Sequence, residues 1–257
     1  MLMLLLFIVC IIGIASYKKW LSPTGAAAAF IVGLVIALAF SWPGLIILGA
    51  FFVSSSLVSK LKKKGEEETV KDDSTRTARQ VFANGGVAAS AALVYIVFPD
   101  FIWFAAFIAS LAAATSDTWA SEFGRIFGGK PRHLLTFKLQ PKGTSGAISW
   151  PGTVAALGGA LFVTGTAYLI VGGENSFSLT SLVILTLSGF LGQWVDTLMG
   201  ALLEVEYECS VCGIVSEDKM HCQTAGAVAS GWSFINNEVV NTCCTLSGAA
   251  FAILFLL

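Results

Sequence analysis

The sequence predicts an all-α, polytopic transmembrane bundle of about eight spans, with its polar chemistry on loops at one face. Three observations predict it. First, 56% of the 257 residues are hydrophobic and only 12% charged, with a positive mean hydropathy. A soluble domain of this size needs more charge than that to cover its surface. Second, the apolar residues form long runs broken by turn signals. Third, nearly every Lys and Arg lies in short clusters between those runs, a segregation that the net charge of -1 conceals. No nucleic-acid partner is expected.

Crossing roughly 30 Å of hydrocarbon takes about 17 to 25 apolar residues. The candidate runs are 1–16, 24–41, 44–59, 81–98, 101–116, 150–171, 179–198 and 238–257. Several are short enough to be re-entrant or steeply placed. Trp42-Pro43-Gly44, Pro99-Asp100 and Gly172-Gly173-Glu174-Asn175 supply the breaks. Abundant Gly and Ala suit helices that approach closely. When sides are alternated along the spans, Lys18 and Lys19, the cluster 60–79, the cluster 125–142 and Lys219 all fall on one side. The positive-inside rule then puts both termini outside and the loops 60–80, 117–149 and 201–236 in the cytoplasm, within a single integral membrane domain spanning 1–257. The first run lacks a basic n-region, so it is not expected to be a cleaved signal peptide.

Those loops hold the candidate chemistry. The run Lys62-Lys63-Lys64 with its following glutamates reads as a solvated charge run. Arg76, Arg79, Gln80 and Ala83 have helical spacing just before and into span four, near Asn84. An Arg pair there binds lipid head groups generally or clamps one phosphate. Ser116-Asp117-Thr118-Trp119-Ala120-Ser121-Glu122 begins where span five reaches the boundary, with Asp117 and Ser121 one turn apart. Asp117 either caps a helix or faces a cleft with Ser121. Span seven ends in the same way, with Asp196-Thr197. Two carboxylates at one depth repel unless a cation lies between them, and Mg²⁺ is the natural candidate. Internal duplication or chance are the bland accounts of the repeat.

The stretch from Arg125 to His133, and then Lys138, Lys142, Gly143, Thr144 and Ser145, offers N–H groups and ammonium groups to phosphate without P-loop spacing. Cys209, Cys212, His221 and Cys222 offer four N/S ligands for a structural Zn²⁺; free thiols or redox cysteines are the alternatives. Asn237 and Asn241 lie one helical turn apart where the last span begins, and either tie helices together or contact ligand.

Arg76 through Gly85, Ser116 through Gly124, Pro141 through Gly146, Asp196 through Gly200 and Asn237 through Asn241 occur in that order. This set, covering nearly the whole chain, resembles the integral-membrane family that includes plant phytyl-phosphate kinase. It is more distantly similar to CTP-dependent polyprenol and phytol kinases and to phosphatidate cytidylyltransferases. The family's acidic–hydroxyl pair after span seven is Asp-Ser, and Asp196-Thr197 keeps its chemistry. The resemblance implies CTP-dependent phosphorylation of a prenyl monophosphate to the diphosphate. On that expectation Asp117 and Asp196 hold Mg²⁺ with Glu122 nearby, while Arg79, Arg125, Lys138 and Lys142 neutralise phosphates. Arg76, Asn84, Ser121, Thr144, Thr197, Asn237 and Asn241 complete the expected substrate and nucleotide contacts. An alcohol acceptor would need a base, for which His133 is the available imidazole. A transporter is the rival from another class, but these spans carry essentially no ionisable group near mid-membrane.

Overall fold

The computed structural model describes residues 1–61, 75–140, 144–172 and 177–257. Lys142 and the charge run at Lys62 therefore lie outside the described residues. The protein is a polytopic helical membrane protein with α1 (Leu2–Tyr17), α2 (Pro23–Val58), α3 (Ala78–Val97), α4 (Phe101–Phe127), α5 (Trp150–Val171), α6 (Leu179–Leu202) and α7 (Asn237–Leu256). Six of these helices, α2 to α7, are long and apolar enough to cross a membrane; α1, at 16 residues, is shorter.

The expected second and third spans are the two arms of α2. At Ser41 the backbone turns sharply (φ 53°, ψ -138°), and Pro43 follows. Proline has no N–H for the preceding turn and disfavours a helical residue before it, so the helix breaks there. The arms fold back to one face, where Trp20 meets Phe52 at 6.0 Å and Lys60 Nζ donates to the Lys18 carbonyl at 3.2 Å. The same face receives the start of α3, since the Arg76 N–H donates to Trp20 O at 3.0 Å. It also receives the polar end of α4, since Arg125 Nη2 donates to Leu61 O at 3.2 Å. The basic clusters thus converge on one polar face.

Helix starts follow local sequence. Ser22, Asp100, Ser149, Ser178 and Asn236 each accept an N–H of the first turn, which satisfies an otherwise orphaned donor. Thr77 and Gln80 form a capping box at α3. That box corrects one expectation. Arg76 precedes the helix in extended backbone bridged to Leu21, so it does not share a helical face with Arg79 and Ala83.

The bundle is organised around α4. Every residue from Ala105 to Ser116 is buried, and most are Ala or Ser. Helices α3, α5, α6 and α7 all pack on it. A Cβ added at Gly248 would lie 2.8 Å from the Ala113 Cβ and 2.9 Å from the Ala109 carbonyl. One at Gly192 would lie 2.9 Å from the Ala113 Cβ. Lipid-facing helices gain little from the hydrophobic effect, so close backbone approach and dispersion hold them together. At the far end, Phe40 packs against Tyr95, Phe104 and Phe107 at 4.7 to 4.9 Å.

Helix α4 also runs on to Phe127, so the loop expected over 117–149 starts later and Asp117 stands on a continuous helix. The loops contain short strands that an all-α reading did not anticipate. β1 (Arg132–His133) pairs antiparallel with β2 (Ala147–Ile148). Between α6 and α7, β3 (Glu206–Glu208) lies between β4 (Val215–Ser216) and β7 (Ala227–Ser230), and β5 (Met220–His221) pairs with β6 (Thr224–Ala225).

Replacing Gly248 with Leu should force α7 away from α4 and cost about 1–3 kcal/mol. Thermal unfolding in detergent would read this as a lowered midpoint. Leu254→Ala, at a side chain 65% exposed, should change the midpoint far less.

Candidate active site at the polar end of the bundle

Where the buried run of α4 ends, the next residue is Asp117. Its carboxyl group lies close enough to that of Asp196 on α6 for the two to interact directly. The two open into a cavity of about 300 Å³ at the polar face. Helix α4 contributes Asp117, Ser121, Glu122 and Arg125, and α6 contributes Asp196 and Thr197. Thr144 and its successors form one wall, and Asn237 and Asn241 of α7 another. Nine of the expected site residues therefore line one cavity, although they come from four separate parts of the chain.

Two carboxylates were not anticipated. Glu204, just past α6, and Glu217, between β4 and β5, also line the cavity. Glu204 is only 5% exposed; Ser145 Oγ donates to its Oε2, while its Oε1 has no partner among the described residues. Glu217 Oε2 accepts Asn237 Nδ2 at 3.1 Å. Burial pushes Glu217 up to about 7, with the charge of Glu204 adding to it. Burial likewise raises Glu204, with hydrogen bonding from Ser145 opposing. Glu204 could have been suspected as a carboxylate about two turns beyond the Asp196-Thr197 pair. Glu217 carries no local signal, because only the folding of the Cys/His loop brings it in.

Among the described lining residues there are five carboxylates and one guanidinium. The guanidinium is already engaged: Arg125 Nη2 and Nε donate to Glu122 Oε2 at 2.9 and 3.2 Å. Asp196 Oδ2 is shielded from solvent and, among the described residues, has no hydrogen-bond partner. A contacting Asp pair with an orphaned oxygen fits a hard divalent cation. Among the described residues, no three carboxylates close to within ligand distance of each other. The set therefore suits Mg²⁺, which keeps water and substrate phosphates among its ligands, and not a closed all-protein cage.

The hydroxyl-rich wall is fixed by contact with α6. Gly146 has φ +69°, and an added Cβ there would collide with Ala201. A Cβ on Gly200 would lie 3.0 Å from the Gly146 N. The Gly146 carbonyl accepts the Leu134 N–H at 3.1 Å, so the 144–149 segment is held over the Asp196 end of α6. Thr197 is less available than expected, because its hydroxyl bonds to the Gln193 side chain at 2.6 Å and the Gln193 carbonyl at 3.2 Å. Asn241 Nδ2 donates to Asn237 O at 2.8 Å, and so braces the residue that holds Glu217.

Other expected residues lie elsewhere. Lys138 and Arg79 are exposed and outside the cavity. His133 Nδ1 accepts the N–H groups of Leu135 and Thr136 at 3.2 and 3.3 Å, which makes it a turn-forming residue and not a base in the cavity. Arg76 and Asn84 line a second, almost wholly apolar cleft of about 110 Å³ between α1, α2 and α3. The Arg76 guanidinium lies over Phe51 and Phe52 at 5.9 and 5.5 Å. Among the described residues it has no hydrogen-bond acceptor. Burial lowers Arg76 to about 10, with Glu122 opposing; it remains a cation at neutral pH. That field links the two sites, because Glu122 lines the polar cavity.

The four Cys/His candidates do meet. Their ligand atoms lie within 4.8 Å of one another. Backbone N–H groups of Cys212 and Val211 hold the Cys209 thiol down to about 6.

A membrane-embedded helical bundle with an acid-lined polar cavity at one end is the class of protein defined here. The chain belongs to the integral membrane protein family DUF92, which it matches over residues 6–249. It is 32% identical to an uncharacterized membrane protein, MJ0933, of Methanocaldococcus jannaschii, over 77% of this chain and 82% of the relative. It is 30% identical to Protein PGR of Arabidopsis thaliana, over 78% of each. It is 27% identical to Protein VTE6, chloroplastic, of the same plant, over 91% of this chain and 65% of that longer protein. No solved structure matches the chain.

Glu217 gives a pH prediction. Its folded value, about 7, lies above the ordinary 4.5, so the folded state favours the protonated form. Its stabilising contribution is full below 4.5 and is lost as pH rises to about 7. Thermal stability measured in detergent with EDTA should fall across that window, and Glu217→Gln should flatten the fall.

Proposed function

We propose that the protein is an Mg²⁺-dependent phosphotransferase that moves the γ-phosphoryl group of CTP to a prenyl monophosphate at the cytoplasmic membrane face. The observation that carries this reading is the close Asp117–Asp196 pair in a polar cavity, near an apolar cleft lined by Arg76; among the described residues, Asp196 Oδ2 has no hydrogen-bond partner and the Arg76 guanidinium no acceptor. The motif resemblance to prenyl-phosphate kinases and the similarity to Protein VTE6 support the same reading.

In this reading the donor triphosphate occupies the polar cavity. Asp117 and Asp196 are the residues that would hold Mg²⁺, which when bound neutralises donor phosphate charge during in-line transfer. The hydroxyl and N–H groups of Thr144, Ser145 and Ser149 face the donor oxygens. Ser121 lies one turn beyond Asp117 on the same cavity wall. The Glu122–Arg125 pair lines the same cavity.

The acceptor's hydrocarbon lies in the apolar cleft among Ile8, Val32, Leu45 and Phe52. Its phosphate meets Arg76 at the mouth. A charged guanidinium packed on two rings favours an anion there, because desolvation strengthens the pairing. An oxygen of the acceptor phosphate attacks the γ-phosphorus, the bond to the β–γ bridging oxygen breaks, and CDP leaves with that electron pair. The acceptor oxygen is already largely ionised, since a phosphate monoester has a second pKa near 6. No general base is needed, which agrees with a His133 that is tied into its own turn.

The test uses purified protein, Mg²⁺, γ-labelled CTP and a short prenyl monophosphate, with the lipid products resolved. Label should enter a prenyl diphosphate. Asp117→Asn should reduce turnover at least about 100-fold, because charge neutralisation and positioning carry most of this chemistry. Arg76→Ala should raise KM for the prenyl monophosphate much more than KM for CTP. A CDP-lipid product would instead make the protein a cytidylyltransferase, and a monophosphate made from a prenyl alcohol would make it a polyprenol kinase. No product from folded protein with any of these pairs would overturn the reading in favour of transport.

A further inference from the structure

The segment between α6 and α7 is larger than a connection needs to be, and its two hairpin turns aim four soft ligands at one point. Cys209 and Cys212 flank the turn between β3 and β4. There Gly213 N donates to Cys209 O at 2.8 Å, and Cys209 N donates to Ile214 O at 2.9 Å. Gly213 has φ +69°, the left-handed conformation that lets the chain reverse just after Cys212. His221 ends β5, and Cys222 with Gln223 forms the turn to β6. Cys222 and Gln223 both have positive φ, at 50° and 60°, and Thr224 Oγ1 donates to His221 O at 3.0 Å. Left-handed backbone at two successive non-glycine residues is costly and persists only where surrounding structure enforces it.

Their separations match a tetrahedral metal centre. Cys212 Sγ and Cys222 Sγ each lie 3.3 Å from His221 Nδ1, and the two sulfurs are 3.8 Å apart. Zn–S bonds of about 2.3 Å and Zn–N bonds of about 2.0–2.1 Å put tetrahedral ligands about 3.5–3.8 Å from one another. All three cysteines are free of disulfides. Three thiolates and an imidazole form a soft, borderline set that selects Zn²⁺ over the hard cation suited to the neighbouring carboxylates.

The same module reaches the cavity. Glu217 sits between β4 and β5, the strands that lead from one ligand pair to the other. Its carboxylate lines the cavity and accepts from Asn237 at 3.1 Å. The strands flanking the module continue from Glu204 on one side and lead to α7 on the other.

We propose that Cys209, Cys212, His221 and Cys222 bind one structural Zn²⁺, and that this ion positions Glu217 in the polar cavity. It closes the two turns onto each other and so fixes the segment between them. With four protein ligands it keeps no open position for substrate, which separates it from the Mg²⁺ chemistry. Glu217 is a positioning residue here, acting on the cavity through Asn237. The inference does not depend on which reaction the cavity performs.

The experiment is metal analysis of the full-length protein purified in detergent from cells grown with zinc. One equivalent of zinc per chain is expected, falling at least tenfold in Cys212→Ser and in a Cys209→Ser, Cys222→Ser double variant. Cobalt substituted for zinc should give the intense visible bands of a tetrahedral thiolate site. Removal of zinc with a chelator that spares Mg²⁺ should raise hydrogen exchange at 207–229 and at 237, while α4 and α5 keep their protection. That pattern separates a local clamp from general unfolding. Glu217→Gln should keep the zinc and the cobalt spectrum, which shows that the metal site stands without it. Zinc-free protein, zinc content unchanged by the cysteine variants, or a Cys212–Cys222 disulfide found by mass spectrometry would each overturn the proposal. If chelation leaves exchange at 216–219 and at 237 unchanged, the positioning of Glu217 is overturned while the metal site stands.

Discussion

Everything at the polar end depends on how closely four helices approach α4. Its buried run from Ala105 to Ser116 is made chiefly of side chains no larger than a methyl or hydroxymethyl group. Gly192 and Gly248 press directly on it. In lipid, where apolar burial gives helices little reason to associate, such contact is what makes a unique bundle. The consequence is chemical as well as structural. Asp117 follows the last buried residue, and the packing that holds α6 against α4 brings Asp196 into contact with it. Looser helices would place water between those carboxylates.

Electrostatics then divides the polar face into two zones. Carboxylates are concentrated inside the cavity, with Arg125 held by Glu122 at the rim. Most basic side chains stay outside: Arg79, Lys138, Lys18 and Lys19 are exposed. Such an arrangement repels an anionic ligand unless a metal accompanies it. The exception is Arg76, which is packed on aromatic rings at an apolar cleft. A cation there, with no acceptor supplied by the described residues, complements an anion with a hydrocarbon tail. The acidic cavity and the apolar cleft are thus distinct environments, and the charge of Glu122 in the first acts on Arg76 in the second.

Several site residues were legible because their positions are set by local rules. Asp117 and Asp196 stand out as acids at the ends of apolar runs, where desolvation demands a partner. Asn237 and Asn241 share a helical turn, and Cys209, Cys212, His221 and Cys222 have metal-ligand spacing. Arg76 was misread because helical spacing was extended one residue past the Thr77 cap, into backbone that bridges to Leu21 instead. Lys138 and His133 lie outside the cavity, because charge and proximity in sequence do not say which way a short hairpin faces. Glu204 was missed for want of a motif. Glu217 was missed because its place depends on two turns closing on each other far from either aspartate in sequence.

What the sequence determined by itself is the polytopic helical class, the one-sided distribution of charge and the identity of the paired acids. These follow from composition, run length and the cost of placing a charge in hydrocarbon, which act residue by residue. Only the tertiary structure decided that spans two and three fold back on each other through a sharp turn at Ser41. It also decided that Arg76 belongs to a separate apolar cleft, and that Glu204 and Glu217 join the cavity. Those outcomes depend on which surfaces of distant segments fit together, and helix approach at small residues sets that fit in a way no local pattern records.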